Sequence, residues 1–535
     1  MLSAECHPIT VVPGLSRLFL EYCSGAAAVR GFYAPGSWGK SWQGRPAIPA
    51  HWAELAGLLA GQNPSTAAAA ALEALSGGAG VVVTGQQVGL FGGPLFTPFK
   101  AATALAQARE ASSAGRPHAA IFWLATEDHD FAEINHVVFP TRRELRKLSY
   151  SATPETARPV GGMVLDDSIT PLVEQARELL GASEAMEALA TAYQPGRTLA
   201  QAFAEFYSLI FAAQGLLVLD ASGRAFHRMG APVLRASLER ADELHRALIE
   251  RNKELEAAGY HAQVAVGPQS CLLFLIDEGT GSRVALKRLT PSAQEPNGLW
   301  QAGRQSFSTA DLAGILDAEP ERISPSALLR PVFQDFLLST SAIVGGPAEI
   351  AYFAQSAVLY ERILGRVTPA LARFSATLIE PKIGELLKKH GLMLERVFAE
   401  TPSSLAQLLA TRAMPDEGKR RLASAGTVLE AELAALLEWM SSLDAGLGRS
   451  AETAASKMRY QMSRLRRLAA NFQLQREEAL TRQAEAVSQA LYPGGVLQER
   501  AHGAAYYFAR YGFGLAEEMT AQAAMCCPGH AEIWL

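Results

Sequence analysis

Short apolar runs, each closed by glycine or charged residues, recur along the chain as far as about residue 380. Val81-Val82-Val83 stops at Thr84-Gly85. Ala119-Ala120-Ile121-Phe122-Trp123-Leu124-Ala125 stops at Thr126-Glu127-Asp128-His129-Asp130. Gly215-Leu216-Leu217-Val218-Leu219 ends on Asp220, and Ser341-Ala342-Ile343-Val344 ends on Gly345-Gly346-Pro347. Such runs predict strands buried on both faces. Helical stretches lie between them, from Leu95 through Lys100 to Arg109, over Ser326–Leu337, and from Ala348 onward. The alternation predicts an α/β fold, a doubly wound and mostly parallel sheet whose ligands bind at the carboxyl ends of the strands.

Elsewhere the pattern is weaker. Residues 1–80 read as mostly helical, with Trp38, Trp42 and Trp52 as anchors. Thr153–Ala185 reads as an insertion. Val264–Val266 and Leu272–Ile276 read as a hairpin in a further insertion. From about Pro381 the periodicity becomes that of a coiled coil. Leu429, Leu433, Leu436, Met440, Leu443 and Leu447 recur at spacings of four and three, and Met458, Leu465, Phe472, Ala479 and Ala486 recur every seven. A break at Asp444–Ser450 makes these two seams a helical hairpin, and a second copy is expected to cover the rest of each stripe.

Composition narrows the class. The 535 residues, 49% hydrophobic and 19% charged, predict a multidomain globular protein. A net charge of −5 disfavours nucleic acid as a partner. With no long apolar run, no membrane partner is expected. No signal peptide is evident, and Cys6, Cys23, Cys271, Cys526 and Cys527 show no C-x-x-C spacing. These features predict a cytoplasmic protein with reduced cysteines. Cys526-Cys527-Pro528-Gly529-His530 makes a poor metal knuckle, because adjacent cysteines are poor joint ligands.

Four strand ends carry the chemistry: Gly85-Gln86-Gln87, Glu127–Asp130, Asp220 and Gly345-Gly346-Pro347. After Thr84, the glycines Gly85, Gly89, Gly92 and Gly93 precede a helix, a layout that can cradle an anion on free backbone amides. It matches neither G-x-x-x-x-G-K-[ST] nor G-x-G-x-x-G. Gln86 and Gln87 add amides for a polar substrate, although a plain packing turn is the competing reading. The second strand end, Glu127-Asp128-His129-Asp130 with Glu133, Asn135 and His136, is dense in titratable groups. Asp130 and Glu133 have capping-box spacing. The others could serve as base and ammonium anchor, or hold a metal, although H-E-x-x-H and H-x-x-E-H are absent.

Taken together, these motifs resemble the BshC family, the cysteine-adding enzymes (cysteine ligases) of bacillithiol biosynthesis. Thr84-Gly85-Gln86-Gln87, with Gly93-Pro94-Leu95-Phe96-Thr97 and Lys100, resembles a first signature. Trp123, Glu127–Asp130 and Glu133–His136 resemble a second, and Gly259-Tyr260-His261 with Gln263 a third. Arg330-Pro331 and Gly345-Gly346-Pro347 with Glu349-Ile350-Ala351-Tyr352 resemble a fourth, and Leu491-Tyr492-Pro493 with Leu497-Gln498-Glu499-Arg500 a fifth. The resemblance implies a Rossmann-type core related to nucleotidyltransferases and class I synthetases, spanning 1–380 with insertions at about 140–200 and 240–325. It further implies a coiled-coil dimerisation arm at 381–505 and a segment, 506–535, returning to the core. The implied reaction is an amide ligation of L-cysteine to the amine of glucosaminyl-malate. ATP or ADP is a candidate cofactor and a metal is undecided. HIGH and KMSKS are not visible, and Gly93–Thr97 stands where the first would lie. In this reading His129 is the base, Glu127 or Asp130 holds the cysteine ammonium, the Gly89–Gly93 amides and Lys100 take an anion or oxyanion, and Arg330 takes a carboxylate. Thr84, Gly85, Gln86, Gln87, Thr97, Asp128, Asn135, His136, Tyr260, His261, Gln263, Gly345, Gly346 and Glu349 complete the candidate binding set. The alternatives are a metal-dependent hydrolase or amidase built on Glu127–His136, and a non-catalytic coiled-coil scaffold.

Overall fold

One row of side chains runs across the central sheet: Ala370, Ile343, Val83, Ile121 and Leu217, each paired to the next in register. All five are buried in one core. The computed structural model containing this sheet describes residues 2–44, 47–141, 144–151, 157–267, 270, 272–289, 299–476 and 478–535. Along the chain, β1 is Ser3–His7, β2 Gly80–Gln86, β3 His118–Leu124, β4 Leu217–Asp220, β5 Ala342–Gly345, β6 Ala370–Ala372, β7 Ala376–Ile379 and β8 His530–Trp534. The central sheet has five parallel strands in the order β6-β5-β2-β3-β4.

Both faces of this sheet are covered, which is why its strands read as unbroken apolar runs. Val81, Val83 and Trp123 face one core. Phe122 on the other face stacks with Tyr207 at 5.3 Å between ring centroids. The chain winds outward from β2 through β3 to β4, then crosses back to start β5 on the far side of β2. The switch in direction therefore lies between β2 and β5, and the carboxyl ends of those strands flank the natural ligand crevice of such a sheet. Four helices border it: α1 (Phe96–Ser113), α2 (Phe131–Ile134), α4 (Arg330–Leu338) and α5 (Pro347–Leu364), with α3 (Arg224–Glu239) behind. Pro331 and Pro347 sit in the first turns of α4 and α5, where a missing N–H costs nothing.

The chain divides into two compact units. One comprises Met1–Thr141, Leu145–Thr377 and Glu499–Ile533, and the other is chiefly Leu378–Gln498. The second unit carries α6 (Pro402–Ala413), α7 (Asp416–Leu443), α8 (Ala445–Arg476) and α9 (Glu478–Leu491). The break between α7 and α8 is Asp444, whose carboxylate accepts hydrogen bonds from the amides of Gly446 and Leu447. Gly446 and Gly448 lie inside α8 rather than breaking it.

Three local expectations are corrected. Val264–Val266 forms no strand; Leu273–Ile276 pairs instead with Arg283–Ala285 and with Ile323–Pro325, both antiparallel. The first 80 residues include a strand, β1, which joins β8 and β7 in a second small sheet. The cysteines are not all reduced, because Cys6 and Cys527 form a disulfide across 521 residues of sequence. Local spacing gives no sign of that bond, since β1 and β8 meet only in the fold. Cys271 lies outside the described residues.

Candidate active site

A cavity of about 460 Å³ opens at the carboxyl ends of β2 and β5. Gly85, Gln86 and Gln87 form one wall, and Gly346 and Glu349 at the start of α5 form the other. Lys100, Asp128, Gln263 and Arg330 also line it. Four signatures far apart in sequence therefore converge at the switch point. Lys100 is buried, and its ammonium donates to the Gly85 carbonyl and to Gln86 Oε1, both at 2.8 Å, and pairs with Glu349 at 2.5 Å. Burial lowers its pKa, while Glu349 opposes the shift. Glu349 also accepts from the Gly346 amide at 2.8 Å, which caps α5. Lys100 thus ties β2 to the start of α5.

Asp128 is held by Arg330, which forks onto both carboxylate oxygens. Burial disfavours the charged carboxylate, but Arg330 outweighs burial and keeps its pKa below the usual range. Arg283 lies 3.9 Å from Asp128 and stacks on Phe274 at 3.8 Å. Burial, then Arg330, pushes its pKa down to about 10. Asp128, Val264, Ala327 and Arg330 are shared with a second cavity of about 860 Å³. The Asp128–Arg330 pair therefore stands where two chambers meet.

Two guanidiniums absent from the expected set also line the smaller cavity: Arg373, just past β6, and Arg500. Arg373 is buried and forked onto Glu499, with one contact at 3.0 Å. Arg500 is exposed at the mouth, 5.9 Å from the Phe96 ring centroid, with no side-chain hydrogen bond or ion pair among the described residues. Burial of its inner part, together with neighbouring Arg373, lowers its pKa. Arg500 belonged to a quoted signature and was legible there. Arg373 stands alone in sequence and gave no signal.

Several expected roles do not survive the geometry. The Gly89–Gly93 loop is buried, and its polar groups are used internally. The Gly92 amide donates to the Tyr193 hydroxyl, the Gly93 amide to the Leu90 carbonyl, and Tyr207 donates to the Gly92 carbonyl. It is a packing turn, so neither it nor Gly93 offers amides to an anion or to a nucleotide phosphate. Glu127 is buried against His227, Oε1 to Nε2 at 2.9 Å, and is not free to hold an ammonium. Burial opposes charge on both partners, but each holds the other ionised, lowering the Glu127 pKa and raising that of His227. His227 Nδ1 donates to the Ile323 carbonyl at 3.0 Å, which holds the ring with Nε2 toward the Glu127 carboxylate. His129 is half-buried outside the smaller cavity, with Nδ1 3.4 Å from Arg283 Nη1. Burial and then Arg283 depress its pKa. With Nδ1 against the Arg283 guanidinium and the ring outside the smaller cavity, the fold does not bring His129 together with the other expected site residues. Asp130 is exposed and caps α2 through the Glu133 amide at 3.3 Å.

The remaining candidates lie behind or beside the cavity. Thr84 donates to the Val344 carbonyl at 3.1 Å within the sheet, and Thr97 is buried in α1. Gly345 ends β5, where a Cβ would meet Phe353 at 2.8 Å. Asn135 accepts from the neighbouring His136 ring at 3.2 Å. Tyr260 bonds Glu21 at 2.5 Å, and His261 is exposed. Among the described residues, Glu127–His136 brings no three potential metal ligands together.

Sequence profiles match the chain over residues 4–374 as "Bacillithiol biosynthesis BshC, N-terminal Rossmann-like domain" and over 376–530 as its C-terminal coiled-coil domain. Relatives that carry the name "Putative cysteine ligase BshC" include the following three. One from Koribacter versatilis is 41% identical, covering 99% of both chains. Another, from Solibacter usitatus, is 34% identical over 90% of this chain and 89% of its own. The third, from Salinibacter ruber, is 32% identical over 97% and 96%.

Proposed function

Because the chain belongs to the BshC family of bacillithiol biosynthesis, we propose that it is a cysteine ligase, joining the carboxyl of L-cysteine to the amine of glucosaminyl-malate. The observation that carries this reading is the lining of the switch-point cavity. It sets an uncommitted guanidinium, Arg500, beside buried Arg373, with Asp128, Glu133 and Glu349 in the same wall. Malate presents two carboxylates, which guanidiniums bind as forks. An amino group finds the exposed carboxylate of Glu133, since Asp128 and Glu349 are held by Arg330 and Lys100. Gln86 and Gln87 supply amides for hydroxyls, and Gln87 is oriented by its 2.9 Å bond to Glu133.

The net reaction forms one C–N bond and breaks one carboxyl C–O bond of cysteine; that oxygen and two protons of the amine leave as water. The attacking amine must be neutral, and amines of this kind lose their proton near pH 8. No side chain in the cavity needs to serve as a strong base at that pH. The test is turnover. Purified protein supplied with L-cysteine, glucosaminyl-malate and, in parallel, ATP or none should yield the cysteinyl amide by mass spectrometry. Absence of that product under every condition, with a folded protein, overturns the assignment.

The second unit supports a homodimer in the same reading. Its hairpin buries Gly426, Leu433, Ala455 and Ala470, leaving Leu436, Leu443, Met458, Leu465 and Phe472 exposed. The hairpin's own interface thus takes Leu433 from the first seam and leaves Leu436, Leu443, Met458, Leu465 and Phe472 on the surface, where a second copy could cover them.

A further inference from the structure

The Cys6–Cys527 disulfide lies on the far side of the residues that hold Arg373 in the cavity wall. Cys6 is exposed, Cys527 is half-buried, and Cys526 beside it is an exposed free thiol. The bond fastens β1 to the segment entering β8, and His7 of β1 also meets Glu532 of β8 at 2.9 Å. Next in β8 comes His530, which is buried. Its Nδ1 lies 2.9 Å from Ser375 Oγ and its Nε2 2.8 Å from Thr377 Oγ1. Ser375 Oγ donates to Glu499 at 3.1 Å, and Glu499 receives the Arg373 fork. Because Ser375 spends its proton on Glu499, His530 Nδ1 must donate to it, and Nε2 then accepts from Thr377. Burial fits this neutral ring, pushing its pKa down to about 4. Every hydrogen in the relay has one direction, so a shift of β8 would disturb the Ser375 bond to Glu499, the carboxylate that Arg373 grips beside its own 2.8 Å bond to the Phe374 carbonyl.

We propose that Cys6–Cys527 is a thiol-exchange site through which low-molecular-weight thiols set the position of Arg373. A thiolate attacks one sulfur of the bond, giving a mixed disulfide and freeing the other cysteine as thiolate. A second thiolate attacks the mixed disulfide, and the small molecule leaves as its own disulfide. Two electrons have passed to the protein, and both cysteine sulfurs take protons from water. The small-molecule disulfide reverses the exchange. Solvent-exposed disulfides are the ones most open to this chemistry, and Cys6 is exposed to it. The relay connects the exchange to a cavity wall, beyond a local clasp of the two strands.

The full chain is equilibrated in cysteine/cystine buffers of graded ratio. Peptide mapping reads the Cys6–Cys527 linkage, and hydrogen–deuterium exchange reads the backbone. The linkage should titrate with the ratio, while Cys526→Ser leaves it intact. On reduction, amide exchange should rise at least tenfold in β8 and also at 373–377 and around Glu499. Cys6→Ser should reproduce the reduced pattern and no longer respond to the buffer. Should that variant fail to fold, reduced wild type carries the same comparison. Exchange that rises only at 3–7 and 527–530 overturns the relay, and a linkage that never forms in cystine overturns the site. Neither readout uses turnover, so the result is separable from the ligase assignment.

Discussion

Glu127 shows how a residue can be well placed in sequence and differently employed in space. It ends the Thr126-Glu127 turn after β3, as a binding carboxylate would, yet its charge is spent on His227. The pairing has a pH signature. The Glu127 pKa lies below 4.5, so its contribution to stability is full above that value and is lost as pH falls through the lowered one. The His227 pKa lies above 6.5, so its contribution is full below 6.5 and is lost as pH rises through the raised value. The pair therefore stabilises most between those limits. Glu127→Gln should cost about 3–5 kcal/mol near pH 5.5 and clearly less near pH 9, as read by urea denaturation at both. Equal losses at the two pH values would refute a charged pair. Arg500 is the reverse case, a residue with little structural duty. Arg500→Met should weaken binding of a malate-bearing ligand by about ten- to a hundredfold and leave the melting temperature nearly unchanged. Calorimetry with glucosaminyl-malate decides this, and unaltered affinity would remove Arg500 from the site.

At the scale of elements, the glycine-rich loop and α1 teach the same lesson. Sequence gave two readings of Gly85–Gly93, a cradle or a packing turn, and both use glycine for positive φ. Gly92 has φ +84°, and a Cβ there would stand 2.7 Å from Phe206. Gly92→Val should therefore lower stability by about 2–6 kcal/mol, from strain and overpacking together. Any ligand affinity should be lost only as far as the chain unfolds. A folded, normally stable valine variant that fails to bind would restore the cradle. The strands and their turns were legible because burial on both sides demands uninterrupted apolar runs. The partner of Leu273–Ile276 was not, because antiparallel pairing with Ile323–Pro325 depends on residues far along the chain.

For the whole molecule, the exposed seam residues of α7 and α8 predict a dimer in solution. Leu436→Glu with Leu465→Glu should give a monomer by light scattering without lowering the melting temperature, since both side chains are more than half exposed. A wild-type chain already monomeric at micromolar concentration would count against the dimer. Among the described residues no helix is long and apolar enough to cross a membrane. Periodicity and turn chemistry are local properties. By itself the sequence therefore determined the parallel α/β core, the helical hairpin after residue 380 and the strand ends where chemistry gathers. It also indicated that the turns after β2, β3 and β5 would gather, because a parallel sheet places its strand carboxyl ends on one edge, but not that Gln263 and Arg500 would join them. The use of each side chain there was decided only in three dimensions. Whether a carboxylate stays free or is claimed by a cation depends on neighbours such as His227 and Arg330, about 100 and 200 residues away in sequence. The same holds for Cys6 and Cys527. Their bond exists because β1 and β8 lie side by side, a proximity that only the folded chain creates.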